Sequence, residues 1–139
     1  MYNTTFDFKK PTVQMLGRFQ PWNDGHTELF KKALTLTGQV VIMAREVYRY
    51  EGDAGAGRTY DQSDNPFGEI AVIDSINTAL SKEGYYDGEH YIIMCVPNIV
   101  DISYGRNVGC TFTEHNLGED IHAISSSKIR KKMREEGKL

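Results

Sequence analysis

Short apolar runs that alternate with stretches of helical spacing are the feature of this chain that most constrains its fold. The runs are mostly aliphatic and partly β-branched, and they occupy residues 12–17, 39–44, 91–96 and 99–104, with residues 110–115 as a further candidate. Near-continuous apolar runs are typical of strands buried on both faces of a parallel sheet. Their alternation with helices predicts an α/β fold: a doubly wound, Rossmann-like, mostly parallel sheet of about five strands with helices on both faces.

Helix boundaries are marked by capping and stop residues. Asn23 or Asp24 is available as the N-cap of a helix between the first two runs, and Gly38 is its C-terminal stop. Pro66 is expected to open a second helix that ends near Gly84.

The segment between this second helix and the second apolar run, residues 48–65, is rich in glycine and has hardly any aliphatic side chains. This composition predicts a long mobile surface loop, and a lid that orders over a substrate is the alternative interpretation. The segment is not a P-loop, because it lacks the Gly-Lys-Ser/Thr ending and does not run directly into a helix.

Composition limits the classes of function. A chain of 139 residues with 40% hydrophobic and 25% charged residues is expected to form one domain, spanning residues 1–139. Its formal net charge of −3 argues against bulk electrostatic binding to nucleic acid or to a membrane, so any anion site must be built locally. No apolar run approaches the roughly 20 residues that span a bilayer, and we expect a cytoplasmic protein.

The cysteines and histidines do not indicate a metal centre. Cys95 and Cys110 lack the close spacing of a metal or redox pair, and their apolar or strand-like surroundings predict reduced thiols in or near the core. The histidines show no metal-ligand spacing either, so no protein-held metal is predicted.

Residues 17–26, GRFQPWNDGH, are the first candidate for an anion site. They leave the first predicted strand and enter the first helix, where ligands of doubly wound sheets bind and where free N–H groups favour phosphate. Gly17 allows close backbone approach, Arg18 supplies a fixed charge, and His26 has a ring that can donate a hydrogen bond. A tight turn followed by a solvated histidine is the alternative interpretation.

Residues 124–130, ISSSKIR, open the last predicted helix, which runs from about 126 to 136. Lys128 and Arg130 lie in its first turn and glutamates close it, which is the reverse of the order that a helix dipole favours. A helix N-terminus that faces a polyanion would account for cations in the first turn. Serine hydroxyls and free N–H groups would complete such a site. A plain serine N-cap with solvated lysines is the alternative interpretation.

Together these two segments resemble known motifs. GRFQPWNDGH is similar to the HxGH region of the nucleotidylyltransferase superfamily, usually GRFQPxHxGH, and ISSSKIR is similar to its C-terminal ISSTxIR motif. The resemblance extends over residues 12–133. Residues 65–67 resemble an NPF element of the nicotinamide mononucleotide adenylyltransferase branch, and residues 104–109, YGRNVG, resemble a YGRDVGY element of small cytidylyltransferase-like proteins.

The resemblance implies a nucleotidyltransferase. Such an enzyme transfers a nucleoside monophosphate from ATP or CTP to a phosphorylated small-molecule acceptor and releases pyrophosphate. The acceptor phosphate attacks the α-phosphorus in line, Mg²⁺ is carried by the triphosphate, and no protein nucleophile is expected. Catalysis then rests on positioning and on stabilising the charge that develops on the phosphates.

Motif matching also implies roles for individual residues. His26, Asn23 and Arg130 are the expected catalytic residues, and Arg45, at the end of the second predicted strand, is a candidate for binding the acceptor phosphate from its position alone. The expected nucleotide-binding residues are Gly17, Arg18, Phe19, Gly25, Gly105, Arg106, Ser125, Ser126 and Ser127.

Asn23 departs from the motif, because it stands where the family has the first histidine of HxGH. An amide donates a neutral hydrogen bond but cannot become a cation. A nucleotide-binding regulatory module with reduced or lost catalysis is therefore the alternative function. The choice between ATP and CTP stays open, and a homo-oligomer is a further possibility because small sheets often gain burial by pairing.

Overall fold

The computed structural model describes residues 5–106, 108–122 and 124–139. These residues form an α/β structure with a three-stranded parallel sheet, a separate two-stranded hairpin and four α-helices. The elements in chain order are β1 Val13–Gly17, α1 Asp24–Thr37, β2 Val40–Arg45, β3 Gly52–Gly55, β4 Arg58–Tyr60, α2 Glu69–Lys82, β5 Tyr91–Val96, α3 Glu119–His122 and α4 Ser126–Glu135.

The parallel sheet has the strand order β1-β2-β5. Met15 pairs with Ile42, and Ile42 pairs with Ile93, so one face of the sheet carries apolar residues across all three strands. The three strands lie within one residue of the apolar runs that predicted them. The α/β class and the parallel sheet are therefore confirmed.

The core lies on one face of this sheet. Both crossover connections run in the same direction along the sheet, and right-handed crossovers then place α1 and α2 on the same side. The two helices share a single buried cluster with the strands: Met15, Phe19, Trp22, Phe30, Ala33, Val40, Ile42, Ala44, Val72, Ile76, Leu80 and Tyr91. The predicted arrangement of helices on both faces is not seen in the described residues.

Helix boundaries follow from the capping residues. Asn23 is the N-cap of α1, and Gly38 ends this helix in a left-handed conformation at φ 86°, as predicted. The second helix begins later than predicted, at Glu69 rather than at Pro66. The Gln20 side chain accepts from the backbone N–H of Phe67 and donates to its carbonyl, at 2.9 Å each, and holds this segment extended.

Two predicted strands, 99–104 and 110–115, do not form in the described residues. Val100 and Tyr104 are exposed, and no strand lies beside them to bury their apolar face. The Ser103 hydroxyl donates to the Asp101 carboxylate, a local bond that competes with strand pairing. The prediction of about five strands in one sheet is wrong for the described chain.

The two cysteines also differ from expectation. Cys95 and Cys110 are free thiols, but both are exposed rather than buried. Cys95 lies on β5, an edge strand that no further strand covers in the described chain. None of the described helices is long and apolar enough to cross a membrane.

Residues 48–65 are more ordered than the predicted loop. They contain the antiparallel hairpin β3–β4 and a 3₁₀ turn, Gln62–Asp64. Ala56 and Gly57 connect the hairpin strands with φ values of 52° and 75°, and positive φ at both central residues is what a type I′ hairpin turn requires. The glycine content that predicted a loop thus partly reflects a tight turn.

Candidate anion-binding cleft

A cleft of about 330 Å³ opens between the loop after β1 and the N-terminus of α4. One half of its lining follows the carboxyl end of β1, and the other half lies near the end of the sequence, at residues 124–127. Hydrogen bonds between Ser126 and the loop after β1 hold the two halves together. Its lining residues are Arg18, Phe19, Gln20, Asn23, His26, Ile124, Ser125, Ser126 and Ser127.

The loop after β1 has a conformation that depends on Gly17. A Cβ atom at this position would lie 2.8 Å from Cε1 of Phe19, so only glycine lets the Phe19 ring fold back over the strand. Phe19 itself adopts φ 52°, which is uncommon for a residue with a side chain. Its ring contacts Trp22 and His26, with ring centroids 5.0 and 5.1 Å apart. The loop therefore packs one wall of the cleft rigidly.

His26 is a neutral hydrogen-bond donor in this structure. Its Nδ1 accepts from the backbone N–H of Asn23 at 3.0 Å, so the neutral ring carries its proton on Nε2. Burial lowers the pKa of His26 from 6.5 to about 4, because desolvation penalises the imidazolium. The ring is consequently uncharged at neutral pH in the absence of a ligand.

Asn23 joins the two helix N-termini that border the cleft. Its Oδ1 accepts from the backbone N–H of His26 at 3.1 Å, and its Nδ2 donates to Ser126 Oγ at 3.0 Å. The Ser126 hydroxyl in turn donates to the carbonyl of Pro21 at 2.7 Å. Both side chains are thus engaged in holding α1 and α4 together.

Arg130 is a buried cation, with only 3% of its surface exposed. Its Nη1 donates to the carbonyl of Gln20 at 2.6 Å and its Nη2 to Ser127 Oγ at 3.2 Å. Its Nε is buried and has no hydrogen-bond partner. Within the described chain no carboxylate lies within 4.0 Å of the guanidinium. Burial, and then the nearby charge of Arg18, lower the pKa of Arg130, while the more distant Asp64 carboxylate acts in the opposite direction.

Arg18 extends the positive region away from Arg130. Its Nη1 donates to Asn65 Oδ1 at 2.8 Å and to the carbonyl of Asp64 at 3.2 Å, and its guanidinium lies 4.6 Å from the centre of the Tyr60 ring. It forms no ion pair with a carboxylate in the part of the chain that the structure describes. Arg18 at the cleft and Arg130 behind it are therefore two like charges close to each other, and both donate to neutral groups.

The buried polar atoms that lack a partner have one property in common. Buried side-chain groups are normally hydrogen-bonded, and exceptions need an explanation. In the described residues the unpartnered atoms are all nitrogen donors near this edge of the sheet: Arg45 Nε, Asn65 Nδ2 and Arg130 Nε. A surplus of donors without a surplus of acceptors is what an acceptor-rich, anionic ligand would satisfy.

The serines at the start of α4 have different roles. Ser125 is the N-cap, and its Oγ accepts from the backbone N–H of Lys128 at 3.4 Å. The hydroxyls of Ser126 and Ser127 contact Pro21 and Arg130 as described above. The dipole of α4 favours negative charge at this end of the helix.

Most of the predicted site residues come together at the cleft. Gly25 and Arg130 do not line it: a Cβ atom at Gly25 would be 3.0 Å from Asn23 Oδ1, and Arg130 lies behind Gln20 and Ser127. Gly105 and Arg106 do not line the cleft and are exposed, and Asn107 of the same element lies outside the described residues. Arg45 lies apart from the cleft, on a separate cavity of about 10 Å³.

The structure adds three residues that the sequence did not single out. Gln20 lines the cleft and accepts from Arg130, Asn65 accepts from Arg18, and Tyr60 stacks beneath Arg18. Gln20 lies in the GRFQPWNDGH segment and Asn65 in the NPF element, so the motif resemblance could have indicated both residues. Tyr60 lies in the Gly-rich segment, where the sequence offers no comparable signal.

Neither metal ligands nor relatives add to this description. No group of three or more His, Cys, Asp or Glu side chains within the described ranges is arranged to hold a metal ion. No protein-family model matches the chain, and no curated protein matches it. The geometry of the cleft and the two motifs are thus the basis for assigning a function.

Proposed function

We propose that the chain is a nucleotidyltransferase, which transfers a nucleoside monophosphate from ATP or CTP to a phosphorylated small-molecule acceptor and releases pyrophosphate. The observation that carries this proposal is Arg130, which is buried with an unpartnered Nε and, in the described chain, has no carboxylate within 4.0 Å of its guanidinium. Buried charges are costly unless they are paired. An anionic ligand at the cleft would be the missing partner.

A polyphosphate suits the cleft better than a single small anion does. The N-termini of α1 and α4 meet at Asn23 and Ser126, so the positive ends of two helix dipoles lie beside the cleft. The cleft volume of about 330 Å³ falls at the lower end of the range for small-molecule sites. The β and γ phosphates would lie at Ser126, Ser127 and Arg130, in keeping with the motif resemblance.

His26 would act at the reacting α-phosphate. A neutral imidazole with its proton on Nε2 donates a hydrogen bond to a phosphate oxygen, and this bond strengthens as negative charge builds up in the transition state. No group at the cleft is needed as a nucleophile, because the acceptor phosphate attacks directly. Catalysis would rest on positioning and on charge stabilisation.

Magnesium would be carried by the triphosphate. No carboxylate lines the cleft in the described residues, whereas serine hydroxyls do, and this donor set fits a cation held mainly by phosphate oxygens and water. When bound, the ion would neutralise charge on the triphosphate. The three parallel strands also match one half of a Rossmann-like sheet, with the cleft at its carboxyl edge as such folds place their ligands.

A nucleotide-binding regulatory module without turnover is the second candidate, and Asn23 is the observation that favours it. The amide is already committed to capping α1 and to Ser126, and it cannot supply the positive charge of the histidine usual at this position. Such a module would bind the nucleoside triphosphate at the cleft but would not transfer the nucleoside monophosphate.

Pyrophosphate release with ATP and with CTP, in the presence of Mg²⁺ and a panel of phosphorylated acceptors, tests the proposal. We expect acceptor-dependent release by the unmodified chain. Asn23→His should be faster by up to about 10²-fold if the missing imidazole acts by charge. Asn23→Asp is the matched control, because its carboxylate retains the helix cap but supplies no positive charge, and it should give no increase.

The outcomes separate the two candidates. Nucleotide binding without release on any acceptor, by the unmodified chain and by Asn23→His alike, would leave the regulatory module. A chain that binds neither nucleotide would contradict both candidates. An Asn23→His variant that is slower or unchanged would show that the departure from the motif does not limit the rate.

A further inference from the structure

Asn65 is fully buried in the segment that precedes α2, and its side chain contacts Arg18. Its Oδ1 accepts from Arg18 Nη1 at 2.8 Å, whereas its Nδ2 is buried and has no hydrogen-bond partner. Its backbone is held on both sides, because its N–H donates to the carbonyl of Gln62 at 3.3 Å and its carbonyl accepts from the N–H of Arg49 at 2.8 Å. The amide therefore presents one acceptor to the cation from a fixed position.

The segment that contains Asn65 is attached to the loop after β1 at two points. Arg18 donates to Asn65, and two residues further along both segments Gln20 exchanges two hydrogen bonds of 2.9 Å with the backbone of Phe67. Arg18 and Gln20 both line the cleft. The position of Asn65 is therefore tied to the position of the cleft wall that carries Arg18.

The carboxylates of the neighbouring 3₁₀ turn are engaged by the backbone and not by Arg18. Asp64 Oδ2 accepts from the N–H of Asp61 at 2.8 Å, and Asp61 Oδ1 accepts from the N–H of Ser63 at 2.9 Å. Arg18 contacts the carbonyl of Asp64 instead, at 3.2 Å, and among the described residues no carboxylate lies within 4.0 Å of its guanidinium. An acidic turn thus offers Arg18 main-chain and amide oxygens but no negative charge in contact.

Aspartate has nearly the same shape as asparagine, so a comparison of the two shows what the amide does at this position. A carboxylate at residue 65 would accept from Arg18 in the same geometry, would leave no donor without a partner and would pair with the cation. Such a pair would reduce the positive potential that Arg18 presents to the cleft. The amide orients the guanidinium and leaves its charge uncompensated, although one of its own donors then lacks a partner.

We propose that Asn65 is a positioning residue that orients Arg18 at the cleft without neutralising it, so that Arg18 binds the phosphate chain of the nucleoside triphosphate. The inference rests on the proposed function, because it names the residue that prepares one cation of the cleft for that ligand. The neutrality of the Asn65 side chain matters as much as its hydrogen bond. The NPF element, residues 65–67, thereby acquires a role in nucleotide binding.

Titration calorimetry with tripolyphosphate compares three side chains at position 65. Asn65→Asp should weaken binding by about tenfold or more, because a carboxylate in contact with Arg18 cancels most of its attraction for the ligand. Asn65→Ala should weaken binding only severalfold, because the charge of Arg18 stays and only its orientation is relaxed. Asn98→Asp is the matched control. Asn98 accepts from Arg45, which does not line the cleft, so this change should alter affinity by less than about threefold.

Two further measurements separate an effect of charge from an effect on the fold. The affinity of Asn65→Asp for tripolyphosphate should fall less steeply with added KCl than that of the unmodified chain, because one effective cation is lost. In the Arg18→Met background, Asn65→Asp should change affinity far less than it does in the unmodified chain, since no guanidinium remains to be neutralised. Urea unfolding checks that each variant is folded under the conditions of the titration.

The results distinguish this inference from the proposed function. If the unmodified chain binds tripolyphosphate and Asn65→Asp binds it at least as tightly as Asn65→Ala does, the role of neutrality is overturned and the proposed function stands. An equally large loss from Asn65→Asp in the Arg18→Met background, or an unchanged affinity in Asn65→Ala, would overturn the positioning of Arg18. Failure of the unmodified chain to bind tripolyphosphate would overturn the proposed function itself.

Discussion

At the scale of single residues, the cleft combines fixed cations with a neutral histidine. Arg18 and Arg130 donate to neutral protein groups, whereas His26 is held uncharged by burial, which lowers its pKa. This division suits a site that binds phosphate through guanidinium groups and reserves the imidazole as a hydrogen-bond donor. It also gives His26 a measurable effect on stability.

The pH dependence of stability should show the burial of His26. Its pKa is 6.5 when unfolded and about 4 when folded, so between these values the unfolded chain binds the proton that the folded chain excludes. The contribution is fully present above pH 6.5 and is lost as pH falls toward 4, to a total of about 3 kcal/mol. Urea unfolding of the unmodified chain and of His26→Gln between pH 4 and 7 measures it.

The comparison of these two proteins isolates His26, because the other histidines are common to both. The free energy of unfolding of the unmodified chain should fall more steeply with decreasing pH than that of His26→Gln. Parallel curves would mean that the ring is solvated, which is the alternative interpretation that the sequence left open.

At the scale of elements, capping residues and apolar runs predicted structure well where the information is local. The N-cap Asn23 and the stop Gly38 marked α1 correctly, and β1, β2 and β5 lie where the apolar runs lie. Residues 99–104 show the limit of this reasoning. Whether an apolar run becomes a strand depends on a neighbouring strand far away in sequence, and in the described chain no strand pairs with this run.

The loop that carries the first motif offers a test at this scale. Gly17→Ala would place a Cβ atom 2.8 Å from the Phe19 ring, and the ring must then leave its contacts with Trp22 and His26. We expect a loss of about 1–3 kcal/mol in the free energy of unfolding, as overpacking typically costs. Gly105→Ala is the control, because open space surrounds that position.

Denaturant unfolding of both variants measures the difference. Gly105→Ala should stay within about 0.5 kcal/mol of the unmodified chain, as exposed substitutions usually do. Equal stabilities for the two variants would show that the Phe19 ring is not packed against Gly17 in solution.

At the scale of the whole molecule, charge is segregated in a way that the net value of −3 does not reveal. The ion pairs in the described residues involve lysines, namely Lys31, Lys132 and Lys138, whereas Arg18, Arg45 and Arg130 contact carbonyl, amide and hydroxyl groups instead. A locally built anion site was predicted from the motifs at the two ends of the chain. The two motif segments do meet, since Arg130 donates to the carbonyl of Gln20, 110 residues away in sequence; anion binding at this place stays a prediction.

Which contacts support each cation was not predictable from sequence. The partners of Arg18 and Arg45 come from the hairpin, from the segment around Asn65 and, at Asn98, from the segment after β5, and their positions depend on the tertiary packing of those segments. Sequence alone therefore predicted that the two motif segments come together and most of the residues that line the cleft, but not the contact between Tyr60 and Arg18.

The central claim is that the cleft is a polyphosphate site supported by Arg130, which donates to Gln20 and Ser127 in the cleft lining, and titration calorimetry with tripolyphosphate tests it most directly. Arg130→Met should weaken tripolyphosphate binding by about 10²-fold, as removal of a charged hydrogen-bonding partner typically does. Arg130→Lys should have an intermediate affinity, because lysine keeps the charge but lacks the paired N–H donors of the guanidinium. Lys131→Met removes the same charge from an exposed position on α4 and should change affinity by less than about threefold. Equal losses for Arg130→Met and Lys131→Met, or no binding by the unmodified chain, would contradict the claim.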